Sequence, residues 1–317
     1  MIRILAWPYQ RNLNSYNKNL YQEFESEVVE FSWSSPFVKA NVFHIHWPET
    51  YLGSNRLIKY VFGSVAVILL FAYYRLRGIH IVWSVHNTRP HISKFYFLNK
   101  SFYKCLSYLV NHYLVMNEFQ MKFFPEDRVT LLRHGMHFRS VVKNTMKRER
   151  TYCLMFGAIA RYKDHLEVFD YWKKSQLGIP LKVVGWCNDI EYLKEIKEFI
   201  GDSPLITIDV GFISDHDLDD LIDGSCAVLV NYGHNNSGVI YRAVERGTRV
   251  LVKDSQFSRE MESQFPQLIN TFDNVDCIKE QDINVESENE TPYSKDYDWK
   301  IVSKRCEEIL IDVVNTN

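Results

Sequence analysis

Strand-like and helix-like segments alternate from one end of this chain to the other, in two series broken by one polar, basic stretch. The first series reads as strand Ile2–Trp7, helix Ser15–Phe24, strands Val28–Phe31 and Val42–Trp47, a long helix over Ser54–Leu76 and strand Ile79–Val85. Helix Lys100–Asn111, strand Tyr113–Met116, a short helix near Glu118–Phe124 and strand Val129–Leu132 complete it. Arg139–Arg150 (RSVVKNTMKRER) then reads as a linker. The second series places strands at Thr151–Phe156, Leu181–Val184, Ile206–Val210, Ala227–Asn231 and Arg249–Val252. Helices are expected from His165, over Ile190–Ile200, from Ser214 and after Ser237, with an exposed acidic loop at Asp282–Lys295 and a final helix over Trp299–Val314.

Repeated βα alternation implies parallel sheets with helices on both faces. The expectation is an α/β chain of two Rossmann-like, doubly wound domains facing each other across a cleft. An N-terminal domain spans 1–138, a linker 139–150 and a C-terminal domain 151–298, while a terminal helix at 299–317 returns to the first domain. At 317 residues the chain exceeds what one core comfortably supports. Neither series has GxGxxG after its first strand, so no dinucleotide cofactor is expected.

The six cysteines are scattered, without CxxC or a Cys/His spacing fit for zinc, and read as reduced thiols of a cytosolic protein. The opening MIRILAWP is a strand pattern and lacks the basic-then-apolar layout of a signal peptide.

Charge is split between the halves. Residues 1–150 hold 20 basic against 9 acidic side chains, a net of +11, and residues 151–317 a net of −13. No acidic residue occurs between Tyr51 and Asn117, where Arg56, Lys59, Arg75, Arg77, Arg89, Lys94, Lys100 and Lys104 all lie. Such a half suits an anionic surface or ligand. Nucleic acid is not expected, because the basic residues form no recognition motif. Within the run, Tyr60–Arg75 is apolar and shorter than the about 20 residues that span a bilayer. It reads either as a buried core helix or as a helix that partly enters a membrane interface.

In doubly wound sheets, ligands bind beyond the carboxyl ends of strands. Those ends carry His46-Trp47-Pro48-Glu49, His86-Asn87 with His91 nearby, Asn117-Glu118 and Arg133-His134-Gly135 in the first half. In the second half they carry Gly157 to Lys163 (GAIARYK), Gly185-Trp186, Gly211-Phe212 and the turn Asn235–Gly238. That turn opens a helix whose first N–H groups lack intrahelical partners, which makes it a place for an anion or simply a capped helix on a sheet. Gly238 admits close backbone approach, Asn236 and Ser237 can donate, and Glu245 lies two turns further on. Arg161 and Lys163 would add the positive charge that clamps a leaving diphosphate.

GAIARYKDH, the VVGW strand end, GFISDHDLDDLI and NNSGVIYRAVERGTRVLV resemble the donor half of GT-B glycosyltransferases, close to the large retaining family 4. HIHWPE and VWSVHNTRPH resemble a bacterial branch used in capsule, exopolysaccharide and O-antigen assembly. The resemblance implies a GT-B fold, a UDP- or GDP-sugar donor as substrate on the C-terminal domain, and no metal or other cofactor. It implies a saccharide or polyprenyl-linked acceptor on the N-terminal domain.

By position Lys163 resembles the diphosphate-binding lysine, and Glu245 the glutamate that bonds the donor ribose. Gly157, Gly185, Asn236, Ser237 and Gly238 complete the donor-binding set. The sequence departs from the family where Ser237 replaces the first glutamate of a pair, and where Arg161 follows Ala160 rather than the isoleucine directly. His46, Asn87, His91 and His134 fall on the acceptor side, with His86, Glu49 and Glu118 as candidates for proton handling. The implied enzyme is a retaining hexosyltransferase, cytoplasmic or peripheral on the inner face of the cell membrane. The alternatives are a GT-B-fold sugar epimerase or phosphorylase and a non-catalytic nucleotide-sugar-binding subunit.

Overall fold

The computed structural model describes residues 1–8, 15–34, 36–48, 56–86, 95–138, 150–233, 236–283 and 293–316. The chain forms two compact units, Met1–Gly135 with Ser294–Asn317, and Met136–Tyr293.

The first unit holds strands β1 (Arg3–Trp7), β2 (Glu27–Glu30), β3 (Val42–Ile45), β4 (His80–Val85), β5 (His112–Val115) and β6 (Val129–Leu131). Its helices are α1 (Ser15–Leu20), α2 (Leu57–Leu76), α3 (Tyr96–Leu109) and α4 (Glu118–Met121). The six strands pair in the order β2-β1-β3-β4-β5-β6, all parallel. Side chains alternate across the sheet, so each strand feeds two cores. Leu5, Phe43, Ile45, Ile81 and Trp83 meet Tyr60, Val67, Phe71 and Tyr74 of α2 and Phe102 and Leu106 of α3. On the other face, Ile4, Ala6, Val82 and Leu114 meet Tyr16, Leu20 and the terminal helix.

The second unit holds β7 (Tyr152–Phe156), β8 (Leu181–Gly185), β9 (Ile206–Val210), β10 (Ser225–Val230), β11 (Arg249–Lys253) and β12 (Ile269–Phe272). Helices α5 (His165–Lys174), α6 (Ile190–Ile200), α7 (Asp215–Asp223), α8 (Gly238–Glu245), α9 (Gln256–Gln264) and α10 (Glu280–Ile283) connect them. The order is β12-β11-β10-β7-β8-β9, again all parallel. Strand order reverses between β1 and β3 in one sheet and between β7 and β10 in the other, which sets the crevice a ligand would use.

The final helix, α11 (Trp299–Asn315), belongs to the first unit. Val302, Cys306, Ile309, Leu310 and Val313 fill its core. Two polar ties fix its register. The Glu307 carboxylate accepts the Ser26 N–H at 2.7 Å and the Glu25 N–H at 3.0 Å, and Ser303 Oγ donates to the Leu20 carbonyl at 2.6 Å.

Three elements lie outside the sequence pattern. α9, β12 and α10 are not expected, because QFSREMESQ is mostly polar, INTF is a four-residue edge strand with two polar positions, and EQDI is a single turn. Helix α2 falls within the expected Ser54–Leu76, but Leu57, Ile58 and Leu76 extend it past Lys59 and Arg75 to 20 residues, so by length and composition it could cross a membrane where the apolar run alone reads as too short.

Candidate functional site

In the second unit, the crevice between β7 and β10 gathers most of the expected donor residues. β7 is followed by Gly157, which has φ of +90°, and β8 ends at Gly185, with φ of +149°. The strand ends are laced by the main chain. Gly157 N–H donates to Val184 O at 3.1 Å, Ile159 N–H to Trp186 O at 2.8 Å, and Gly211 N–H to Gly185 O at 2.9 Å. A β-carbon on Gly185 would sit 1.9 Å from the Gly157 carbonyl oxygen, so this approach requires glycine.

The loop after Gly157 forms a short 3-10 turn, Arg161–Lys163, that turns Lys163 back beneath the strand end. Lys163 is 4% exposed, and its ammonium donates to the Phe156 carbonyl at 3.2 Å. It also lies 5.1 Å from the centre of the Tyr232 ring. Among the described residues no carboxylate pairs with it. Burial pulls its pKa down to about 8.

Tyr232 lies two residues past β10, and its hydroxyl is 2.9 Å from Ser237 Oγ. Ser237 stands at the N-cap of α8, yet its side chain does not cap the helix. Among the described residues no group accepts the N–H of Gly238 or Val239. Asn236, just before, sits in the left-handed region at φ +56°, with Tyr241 Oη 3.4 Å from its Oδ1. Glycine at 238 leaves open space where a β-carbon would point. A buried ammonium and a helix N-terminus thus face one crevice, the arrangement that favours an anion.

Two of the expected residues are otherwise engaged. Arg161 is half-exposed and reaches away to α6, with Nε 3.0 Å from Asp189 Oδ2 and Nη1 2.8 Å from Glu195 Oε2. Its guanidinium covers the Tyr192 ring at 4.6 Å. Glu245 ends α8, where its carboxylate accepts the His137 N–H at 2.8 Å. Burial raises Glu245 to about 7, against the pull of that N–H and of Arg242.

In the first unit, His46 and His86 follow β3 and β4 and belong to one buried chain of hydrogen bonds. Tyr21 Oη lies 2.8 Å from both His44 Nδ1 and His46 Nε2. His44 Nε2 is 2.8 Å from Ser84 Oγ, and His46 Nδ1 is 3.2 Å from His86 Nε2. Trp47 stacks on His86 at 4.1 Å, and Tyr16 meets the rings of His86 at 4.7 Å and His134 at 5.0 Å. Burial lowers His44 to about 3 and His134 to about 4, and it drives His46 and His86 well below the usual range, helped by their histidine neighbours. All four are neutral at physiological pH.

Glu118 opens α4 exposed and ion-paired with Arg133, which also donates to Tyr297 Oη at 3.1 Å. Glu49, Asn87 and His91 lie outside the described residues. Among the described residues no group of three His, Cys, Asp or Glu is placed to hold a metal ion.

Sequence reasoning missed Tyr232, Tyr21, His44 and Ser84. The signal for His44 was present: in VFHIHW it lies two residues before His46, hence on the same face of the strand. Nothing local marks Tyr21 as the hydroxyl that joins them.

No protein-family model and no curated protein sequence matches the chain. Solved structures do. AviGT4, a glycosyltransferase involved in avilamycin A biosynthesis, is similar over 99% of this chain and 98% of its own, at 13% identity and a TM-score of 0.59. Anabaena Alr3699/HepE in complex with UDP is similar over 98% of this chain and 100% of its own, at 11% identity and a TM-score of 0.68. The lipopolysaccharide outer core galactosyltransferase WaaB in its apo form is similar over 99% and 98%, at 10% identity and a TM-score of 0.59. With two parallel six-stranded sheets in the orders described and the terminal helix returned to the first unit, the chain has the GT-B fold.

Proposed function

We propose that this chain is a glycosyltransferase that moves a hexosyl group from a UDP- or GDP-sugar to a saccharide hydroxyl. The second unit holds the donor and the first the acceptor, a lipid-linked intermediate of bacterial surface polysaccharide synthesis made in the cytoplasm. The observation that carries this reading is Lys163: a buried ammonium without a carboxylate partner among the described residues, beside the open N-terminus of α8. Burying a cation in this way is costly, and an arriving diphosphate would offset the cost. The same fold binds UDP-glucose in Anabaena Alr3699/HepE, which supports a nucleotide-sugar here.

The reaction would proceed with retention and without a metal. The bond between the anomeric carbon and the phosphate oxygen breaks, and the nucleoside diphosphate leaves with the electron pair. Lys163 and the α8 N–H groups stabilise the negative charge that develops there. The acceptor oxygen bonds to the anomeric carbon on the same face, and its proton passes to the departing phosphate oxygen. Glu118 is ion-paired with Arg133, which counts against it as the base for the acceptor proton. Glu245, at about 7, can exchange hydrogen bonds with the ribose hydroxyls in either protonation state.

Thermal unfolding with UDP, GDP and their hexose conjugates tests the reading. A ligand that binds only the folded chain raises its melting temperature, by about 2.7 kcal/mol of stability at a hundred times its Kd. If no nucleoside diphosphate raises it, the donor site is wrongly assigned.

A further inference from the structure

The face of α2 turned away from its sheet is apolar and open. Tyr60, Ser64, Val67, Leu70, Phe71 and Tyr74 pack inward. Ile58, Val61, Phe62, Val65 and Leu69 are exposed instead, Phe62 at 72% and Leu69 at 63%. At 3.6 residues per turn these positions share one stripe opposite the buried one. Between Lys59 and Arg75 the helix carries no charge, and only 33% of its apolar window is buried. A helix on an ordinary wet surface would place polar side chains along that stripe, so a continuous apolar one marks a contact site.

We propose that this stripe docks on an anionic lipid bilayer, with α2 lying in the plane of the interface. The inward side chains belong to the sheet's core, so the helix cannot leave to span the membrane without emptying it. Its ends are basic and exposed: Arg56 and Lys59 at one, Arg75 and Arg77 at the other, with Lys59 and Arg75 about 24 Å apart along the axis. Helix α3 lies beside it, joined through the Tyr60 hydroxyl to Asn99 Oδ1, and adds exposed Lys100 and Lys104. No acidic residue interrupts residues 51–117. Apolar side chains would enter the acyl boundary while the cations meet anionic headgroups. A second copy packed antiparallel on the same stripe would set Lys59 against Arg75 at both ends, a like-charge clash that a lipid surface avoids. The inference does not depend on the transfer reaction.

Flotation of the full chain with phosphatidylcholine vesicles, with and without phosphatidylglycerol, tests it. The chain should bind the anionic vesicles at low salt and bind them less tightly at high salt. The pair Phe62→Ser/Leu69→Ser and the pair Lys59→Gln/Arg75→Gln should each weaken binding at least about tenfold. All four positions are exposed, so melting temperature and its shift by UDP should not change. No binding at low salt, or equal binding by the variants, overturns the proposal. A dimer lost on Phe62→Ser/Leu69→Ser, with no vesicle binding, overturns it in favour of a second copy. A chain that binds vesicles but shows no shift with UDP counts against the donor site and leaves the membrane face standing.

Discussion

His46 Nδ1 lies 3.2 Å from His86 Nε2, and the other nitrogen of His46 lies 2.8 Å from the Tyr21 hydroxyl. Each neutral imidazole carries one N–H and the hydroxyl one proton, so the direction of one bond sets all the others. With protons pointing toward Ser84, His86 donates from Nε2 and keeps a basic Nδ1. With protons pointing the other way, His86 accepts at Nε2 and carries its proton on Nδ1. Tyr21 is the pivot, because its oxygen serves both His44 and His46. Tyr21→Phe removes that pivot and should leave UDP affinity alone, since Lys163 belongs to the other unit. Two buried imidazoles lose a partner, which should cost about 1–3 kcal/mol of stability. Unfolding free energy equal to the wild type's would show that the hydroxyl does not hold the two rings.

The same histidines set the acid response. His44 (about 3), His134 (about 4), His46 and His86 all sit below their ordinary value because burial disfavours the charged ring. The unfolded chain takes up protons near pH 6.5 that the folded chain refuses. Stability from these groups is whole above about pH 6.5 and drains as pH falls, each at up to about 1.4 kcal/mol per pH unit. Glu245 acts with the opposite sign: raised to about 7, it favours the fold as pH drops below that value. One carboxylate does not offset four imidazoles. Urea unfolding free energies should decline from about pH 7.5 to pH 5.5, and a flat or rising trend contradicts the buried neutral cluster.

The two sheets were legible because strands buried on both faces read as unbroken apolar runs, as in Tyr152–Phe156 and Ser225–Val230. β12 was not, because its Asn270 and Thr271 are only half-buried at the sheet edge and carry no such signal. At the candidate site, strand-end logic picks out Gly157, Lys163, Ser237 and Gly238 from sequence alone. It left out Tyr232, whose phenol looks like the last apolar residue of AVLVNY until the fold turns it onto Ser237. The engagement of Arg161 was hidden for a similar reason. Asp189 and Glu195 lie 28 and 34 residues away, and only the sheet brings them together.

That engagement has a consequence for binding. Arg161 is 53% exposed and already held by two carboxylates, so it offers an incoming phosphate less than its charge suggests. Exposed ion pairs of this kind are screened by solvent and add little to stability. Arg161→Ala should leave the melting temperature nearly unchanged, and should weaken UDP binding less than loss of Lys163 does. Equal losses in calorimetric titration would show that Arg161 swings to the ligand.

Gly185 tests the scaffold beneath the site. Its backbone is at φ +149°, and a methyl group there would collide with the Gly157 carbonyl. Gly185→Ala should cost at least about 3 kcal/mol, adding backbone strain to a steric clash against a main chain that cannot rotate away. Gly211→Ala, where no neighbour lies within 4 Å, should cost far less. Similar unfolding midpoints for the two variants would remove the close approach as the reason for glycine.

Lys163 separates stability from binding. Its ammonium is 4% exposed and donates to the Phe156 carbonyl, and burial brings its pKa from 10.5 to about 8. A shift of that size disfavours the folded cation by about 3 kcal/mol at neutral pH, a cost that fades as pH rises from 8 toward 10.5. Lys163→Met keeps the length and apolar stem and removes the charge, at the loss of one hydrogen bond worth about 1–2 kcal/mol. The empty variant should therefore melt at or above the wild-type temperature near pH 7 and lose that margin in alkali. Its UDP affinity should fall at least about tenfold, because the diphosphate no longer meets a buried cation. An enzyme that is less stable yet binds UDP as before would make Lys163 a packing residue, and the anion would have to be sought elsewhere along the strand ends.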